Sequence, residues 1–158
     1  MYQSHLDIPA HVRKGAITLL QARLSDSIDL EAQMKQAHWN VKGKDFFQLH
    51  ELFDKIHSEV EDFVDLIAER ITTLGGIADG RVQTTAKNSQ LYEYALETSG
   101  GEAHLKSIAA ALSQFAKAVR ADIDKAAEMG DAASADIFTE IVRAADKNLW
   151  FVEAHLAT

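Results

Sequence analysis

Residues 35–76 read KQAHWNVKGKDFFQLHELFDKIHSEVEDFVDLIAERITTLGG, and this stretch decides the fold. From Asp45 to Leu74 its apolar residues recur at spacings of three and four, which predicts one long helix with a single buried face. The residues of that face are Leu49, Leu52, Phe53, Ile56, Val60, Phe63, Val64, Ile67, Ile71 and Leu74. A neighbouring arc of the same helix carries residue types that bind metals. These residues are His50, Asp54, Glu61, Asp65 and Glu69.

Three further long helices are predicted on either side of this one. They span residues 8 to 35 or 38, residues 102–129 and residues 132–155, with a short extra helix near residues 84–89. The predicted buried stripe of the last helix consists of Ile137, Ile141, Ala144, Leu149 and Val152. The link between helices two and three is the longest, which is the ferritin-like arrangement of a four-helix bundle. The sequence therefore predicts an all-α, ferritin-like bundle that forms one domain over residues 1–158.

The composition limits the chemistry and the partners. There is no cysteine, so neither disulfides nor thiolate ligands are available. The net charge of −8 argues against a surface that binds nucleic acid throughout, because phosphate contacts need clustered Lys and Arg. The first residues lack the pattern of a signal peptide, and no apolar run is long enough to span a bilayer. We expect a cytoplasmic protein.

The metal-binding residue types form two pairs, His50 with Asp54 and Asp65 with Glu69. Each pair is spaced i, i+4 and can close on one ion, but the two pairs lie roughly 16 Å apart along the helix axis. They cannot share an ion within one chain, and the Glu-x-x-His pairs of an intrasubunit di-iron site are absent from helices two and four. If two antiparallel copies of this helix met at a two-fold axis, the two pairs would face each other and form two sites. Imidazole and carboxylate ligands without thiolate suit iron, manganese or zinc.

The segments AHWNVKG, LHELFD and DLIAERITTLGG resemble the Dps family, the bacterial mini-ferritins. The resemblance runs from about Ile8 to Leu156, and the family's ligand pattern is matched at every position. The matching residues are His38, His50, Asp54, Asp65 and Glu69. The resemblance implies a dodecameric shell with ferroxidase sites between subunits. Fe(II) would be oxidised there, preferentially by hydrogen peroxide, and stored as ferric mineral, which protects against oxidative stress; zinc could compete for the site.

Other residues have two interpretations each. For His38 alone, the ordinary role would be a local hydrogen bond at a helix end, and the carboxylates alone could be a solvated face. In the family, a tryptophan at the position of Trp39 lies near the iron and takes up oxidising equivalents; the alternative is a packing aromatic. Glu61 could support a ligand or start mineral growth. His57 is expected to be structural.

Residues 130–136 resemble the family's three-fold pore, through which iron enters. The resemblance implies a ring of Asp131 and Asp136 with Glu140 behind them. The alternative for Asp131 is capping of the last helix, which it precedes.

A second function from another class is direct DNA binding in the nucleoid. Some family members bind DNA through a Lys-rich tail, but residues 1–7 contain no Lys or Arg and the chain ends in His155-Leu156-Ala157-Thr158. Direct DNA contact therefore lacks its usual basis in this sequence. A third hypothesis is a purely structural helical oligomer, which the register of five ligands disfavours.

Overall fold

The computed structural model of the chain describes residues 1–157, so Thr158, the last residue of the predicted domain, lies outside the described part. The helices are α1 (Ala10–Asn40), α2 (Phe46–Thr73), α3 (Val82–Asn88), α4 (Gly101–Glu128) and α5 (Ala132–Ala154). No strand occurs in the described part of the chain, which confirms the all-α, ferritin-like class. Within residues 1–157 no helix is long and apolar enough to cross a membrane.

The bundle consists of two helical hairpins. α1 packs along α2 and α4 packs along α5, while contacts of α1 with α4 and of α2 with α5 join the two pairs. The short helix α3 lies against α1. The connections within each hairpin are short, whereas residues 74–100 must travel between the hairpins. This is the single long crossover that the sequence predicts.

The core confirms the predicted face of α2 and corrects that of α5. On α2 the predicted face is buried except for Leu52 and Val64, which are half-buried. On α5, Ile141 and Val152 are buried as predicted, but Ile137, Ala144 and Leu149 are only half-buried. Their place in the core is taken by the neighbouring residues Phe138, Val142, Ala145 and Asn148. The apolar residues of α5 are frequent enough to allow two adjacent stripes, and the packing against α4 selects one.

The crossover is held on α1 by side chains that bind its backbone. The amide of Gln21 donates to the carbonyl of Asp79 and accepts from the N–H of Asp79, both at 2.9 Å. The carboxylate of Asp26 accepts from the N–H of Gln90 at 2.8 Å. These bonds satisfy backbone groups on either side of α3 that no helix or strand satisfies, so the irregular parts of the crossover keep a defined path.

Polar groups also replace apolar ones on the inner face of α1. The buried Arg23 lies 3.2 Å from Asp26 and 3.6 Å from Asp122 of α4, which also accepts a hydrogen bond from Lys125 at 2.7 Å. Burial raises the pKa of Asp26. A charged group this far from water requires partners of opposite charge, and the cluster contains both positive and negative side chains. α1 and α4 are therefore joined by ion pairs as well as by apolar packing.

Glycines end two of the long helices at the positions where the backbone leaves the right-handed region. Gly75 follows α2 with φ of 90°, and Gly130 follows α4 with φ of 87°. The next N–H in each case bonds back into the last helical turn, from Gly76 to Ile71 and from Asp131 to Ala126. A side chain at either glycine would be strained, because positive φ is unfavourable for residues with a Cβ atom.

Candidate metal centre

The end of α1 and the start of α2 are joined by two histidines that bind each other's backbone. Nδ1 of His38 lies 2.8 Å from the carbonyl oxygen of His50, and Nδ1 of His50 lies 2.9 Å from the carbonyl oxygen of His38. The two rings are stacked, with centroids 3.6 Å apart and planes at 22°. The ring of Phe46 lies 5.1 Å from that of His50. Both histidines are thus held in fixed orientations by two helices at once.

This exchange decides the tautomer of each ring. A carbonyl oxygen can only accept, so each Nδ1 carries the hydrogen and donates it. In the neutral imidazole the other nitrogen, Nε2, then has a free lone pair, which is the form that binds metal. A backbone carbonyl on Nδ1 is also the usual support of a metal-binding histidine. The local hydrogen bond expected for an ordinary His38 is therefore present, and it prepares the ring as a ligand.

Asp54 lies beside the histidine pair and is held by a lysine. One carboxylate oxygen of Asp54 is 4.0 Å from Nδ1 of His38, and the same oxygen accepts a hydrogen bond from Lys35 of α1. The Lys35 hydrogen bond holds the pKa of Asp54 below its ordinary value, with the nearby positive charge acting in the same direction. Asp54 is thus held in its anionic form by this contact. A cation that binds this oxygen of Asp54 would have to displace the ammonium of Lys35.

Asp65 and Glu69 lie further along α2, away from the histidines. Both are exposed and line a groove of about 590 Å³ between α2 and α5. Three further carboxylates, Glu59, Asp62 and Glu140, line the same groove, and Lys147 is the one cationic side chain among its described lining residues. The groove is therefore strongly acidic, a surface that attracts cations.

The predicted ligands do not converge within one chain. The structure brings together His38, His50 and Asp54, and it leaves Asp65 and Glu69 at a distance on the same helix. Among the described residues, no group of three or more His, Cys, Asp or Glu side chains is placed to hold a metal ion. One subunit thus presents two separate halves, which we call the histidine half (His38, His50, Asp54) and the carboxylate half (Asp65, Glu69).

Two large aromatic side chains near the histidine half face solvent. The side chain of Trp39 is 68% exposed, and so is that of Phe47. Glu61 is also exposed, on the neighbouring part of α2. It faces Glu31, whose pKa is raised by burial and by the charge of Glu61, and Glu31 lies 3.9 Å from His57.

Asp131 occupies the capping position that the sequence offered as the alternative to a pore role. It is almost fully buried, its side chain accepts from the N–H of Ser134 at 3.2 Å, and it is paired with Arg70 at 2.7 Å. A carboxylate used in this way does not face solvent, so the structure corrects the assignment of Asp131 to a pore surface. Asp136 and Glu140 are exposed, and their role in a pore stays a prediction.

Sequence reasoning missed two residues that hold the halves in place. Lys35 lies one helical turn before His38, and that spacing is a usable signal for a shared face. Arg70 follows Glu69 directly and anchors the end of α2 to the start of α5 through Asp131 and Ser134. Nothing in the sequence pairs Arg70 with residues 61 and 64 positions later, because only the tertiary fold brings the two helix ends together.

Comparison with known proteins agrees with the fold. Residues 17–158 match the family described as the ferritin-like domain. The DNA protection during starvation protein of Agrobacterium fabrum is 38% identical over 150 residues, which cover 95% of this chain and 93% of that protein. A solved structure of Mycobacterium smegmatis Dps in a tetragonal form covers 100% of this chain and 95% of its own, with a TM-score of 0.94 at 29% identity. DpsC from Streptomyces coelicolor covers 99% and 92%, with a TM-score of 0.95 at 26% identity.

The bundle with one long crossover defines the class as ferritin-like, and the match over residues 17–158 agrees with that class. Within that class, the 38% identity to the Agrobacterium fabrum protein, which covers 93% of its length, identifies the family. This chain belongs to the Dps family of ferritin-like proteins.

Proposed function

We propose that this chain is the subunit of a mini-ferritin, a ferroxidase that oxidises Fe(II) between subunits and stores ferric iron inside a dodecameric shell. Residues 1–158 act as one domain, and hydrogen peroxide is the preferred oxidant. Peroxide accepts two electrons, so a site with two Fe(II) ions reduces it to water and releases no hydroxyl radical. Removal of both reactants is the protection against oxidative stress.

The observation that carries this proposal is the reciprocal bonding of His38 and His50. Two imidazoles whose Nδ1 atoms are tied to backbone carbonyls have both Nε2 atoms free for a metal. Asp54 adds a negative charge that stabilises bound Fe(II), and it stabilises the more highly charged Fe(III) more strongly. Because few protein ligands surround the ion, room is left for peroxide. The same nitrogen and oxygen ligands bind Zn(II), so zinc competes.

The separation of the two halves supports a site between subunits. A two-fold axis that sets two α2 helices antiparallel would bring the histidine half of one chain to the carboxylate half of the other. The exposed Trp39 would then lie within the interface beside the metal, where it can pack or take up an oxidising equivalent. Glu61 and the acidic groove would lie beside the site, towards the inside of the shell, and would be the surfaces where ferric mineral nucleates. Asp136 and Glu140 are the proposed lining of an iron entry route.

Subunit complementation tests the proposal. One variant loses the histidine half through His50→Ala with Asp54→Ala, and the other loses the carboxylate half through Asp65→Ala with Glu69→Ala. Shells made of either variant alone contain no complete site. In a mixed two-fold pair, one of the two sites combines an intact histidine half with an intact carboxylate half. Random co-assembly should therefore restore roughly a quarter of the wild-type sites, since a two-fold interface repeats each contact.

The measurement is peroxide-driven Fe(II) oxidation by co-expressed shells whose mixed composition is established by native mass spectrometry. Shells of the two variants that are assembled separately and then combined serve as the control and should stay inactive. If truly mixed shells are no more active than the separate ones, the site does not span two subunits. Light scattering on the wild type should give a particle near twelve times 17.4 kDa.

Direct DNA binding is the second candidate, and the names of the curated relatives favour it. The net charge of −8 per chain opposes it. The structure does place three lysines, Lys42, Lys44 and Lys106, around one groove at the end of the bundle, with Asp45 and Glu102 among them. This groove is the local basic surface on which DNA contact would have to depend.

A further inference from the structure

A hydrogen-bonded pair of Tyr94 and His104 has no part in the metal site described above. Tyr94 belongs to the crossover, and His104 lies in the first turns of α4. The phenolic oxygen is 2.5 Å from Nδ1 of His104. The imidazole is 1% exposed, and the phenol is half-buried. A tyrosine hydroxyl this close to a buried imidazole nitrogen is a proton donor facing a base.

Both members of the pair are neutral at physiological pH. Burial lowers the pKa of His104, and burial raises the pKa of Tyr94. The phenol therefore keeps its proton and donates it to Nδ1 in a hydrogen bond, which leaves the hydrogen of the ring on Nε2. A hydrogen bond with the backbone of Asn40 acts in the opposite direction and raises the pKa of His104, although Nε2 has no partner of good geometry among residues 1–157.

The pair lies against both segments that carry the histidine half. Asn40, whose backbone faces the imidazole, is two residues after His38. On the other side, the ring of Phe53 lies 6.5 Å from that of His104, and Phe53 directly precedes Asp54 on α2. The ring of Tyr94 is 6.0 Å from that of His104. A series of rings, Tyr94, His104 and Phe53, thus leads from the crossover to the ligand helix.

We propose that Tyr94 is a redox-active electron donor to the iron site and that His104 is the base that receives its phenolic proton. This inference rests on the proposed ferroxidase function, which supplies Fe(II) and hydrogen peroxide. A neutral phenol is oxidised readily only when its proton can leave with the electron. A base already in hydrogen-bond contact provides for that transfer without movement of either side chain.

The step applies to a site that holds one Fe(II) ion instead of two. Peroxide needs two electrons, of which Fe(II) gives one and becomes Fe(III), and Tyr94 gives the other. The O–O bond breaks, and both oxygens leave as water after two protons are taken from solvent. The phenolic proton moves to Nδ1 of His104, so the products are a neutral tyrosyl radical and an imidazolium. No hydroxyl radical leaves the site, and the half-buried phenol can be reduced again from solution.

The test is electron paramagnetic resonance of assembled shells that carry one Fe(II) per site, frozen shortly after mixing with peroxide. The chain contains three tyrosines, so three variants assign any tyrosyl signal. We expect the signal in the wild type and its loss in Tyr94→Phe. It should persist in Tyr92→Phe, the matched control two residues away on the exposed part of the same segment, and in Tyr2→Phe. Spin trapping should show more hydroxyl radical from Tyr94→Phe than from either control.

The role of His104 is tested by His104→Asn, whose carboxamide oxygen can accept the phenol hydrogen bond but cannot retain the proton. We expect a lower radical yield in shells of unchanged size. If this buried substitution prevents folding, Tyr94→Phe decides alone, because it removes only a hydroxyl group.

Two failures can be told apart. Wild-type shells that oxidise iron with peroxide but form no tyrosyl radical, or a radical that survives Tyr94→Phe, would overturn the inference and leave the ferroxidase function standing. Shells that oxidise no Fe(II) with peroxide would overturn both.

Discussion

The two halves of the candidate site are built in opposite ways. The histidine half is ordered within the subunit, because its rings are fixed by backbone carbonyls and its carboxylate by Lys35. The carboxylate half is exposed in an acidic groove, and the nearby end of the helix is anchored by Arg70, which pairs with Asp131. Neutral ligands need orientation, since a misplaced lone pair does not bind. Carboxylates attract a cation from any direction and can be placed by the partner subunit.

The largest effect is expected where the carboxylate half is anchored. Asp131→Ala would leave Arg70 partly buried without its carboxylate, which should lower the free energy of unfolding by about 3–5 kcal/mol. Denaturation with urea at a fixed subunit concentration measures this. The control is Asp136→Ala, an exposed aspartate on the same helix, which should change stability by no more than about 0.5 kcal/mol. Equal stability of the two variants would show that the ion pair does not anchor α5.

A ligand of the histidine half should matter for chemistry and hardly at all for stability. Asp54→Ala, or His50→Ala together with Asp65→Ala, should slow peroxide-driven Fe(II) oxidation by on the order of 100-fold while the shell stays assembled. Stopped-flow absorbance of Fe(III) provides the rate, and light scattering the assembly. Glu51→Ala, an exposed carboxylate next to His50 but off the ligand arc, is the control. An intact Asp54→Ala shell that reacts at the wild-type rate would remove Asp54 from the ligands.

Lys35 should restrain the same half, because its ammonium must leave Asp54 before a cation binds there. Lys35→Met should tighten Co(II) binding roughly tenfold, since a charge-assisted hydrogen bond no longer competes. The substitution should also raise the pKa of Asp54 towards its ordinary value, a direction that NMR titration of the metal-free shell can follow. The sign follows from linkage. The pKa of Asp54 is lower in the folded chain than in the unfolded chain. The ionised carboxylate therefore stabilises the fold at pH values above its unfolded-state pKa, and this stabilisation is lost as the pH falls through its folded-state pKa.

That contribution to stability should be small, because the Asp54 side chain is 45% exposed and solvent screens the pair. Weaker Co(II) binding by Lys35→Met would mean that the lysine supports the ligand instead of competing with the ion.

DNA should give the smallest effect of all. At near-physiological salt without added divalent metal, we expect no retardation of plasmid in a gel, while the same preparation still oxidises iron. The physical reason is the net charge of −8 on every chain, which repels the DNA phosphates. Any weak shift at low salt should disappear in a variant with Lys42→Glu and Lys44→Glu. A clear shift at physiological salt would instead restore direct DNA contact beside the iron chemistry.

The sequence by itself determined the elements and the ligand spacing. Apolar periods on α2 identify its buried face, because every residue of a regular helix has a fixed angle about the axis. The same angle places His50 above Asp54 and Asp65 above Glu69, and the axial rise separates the pairs. The crossover and the short helix within it follow from residue types that end helices. All of these depend on neighbours within one helix or one turn.

Only the tertiary structure decided how the elements meet. It chose between two adjacent stripes on α5, buried Asp131 against Arg70, and gave each of His38 and His50 the other's carbonyl as a partner. It also placed Tyr94 against His104 behind the ligand helices. A periodic pattern indicates which side of a helix is apolar. It does not indicate which atoms of another element that side will contact. Contacts of this kind depend on the relative position of whole helices, which is settled by packing of the entire core.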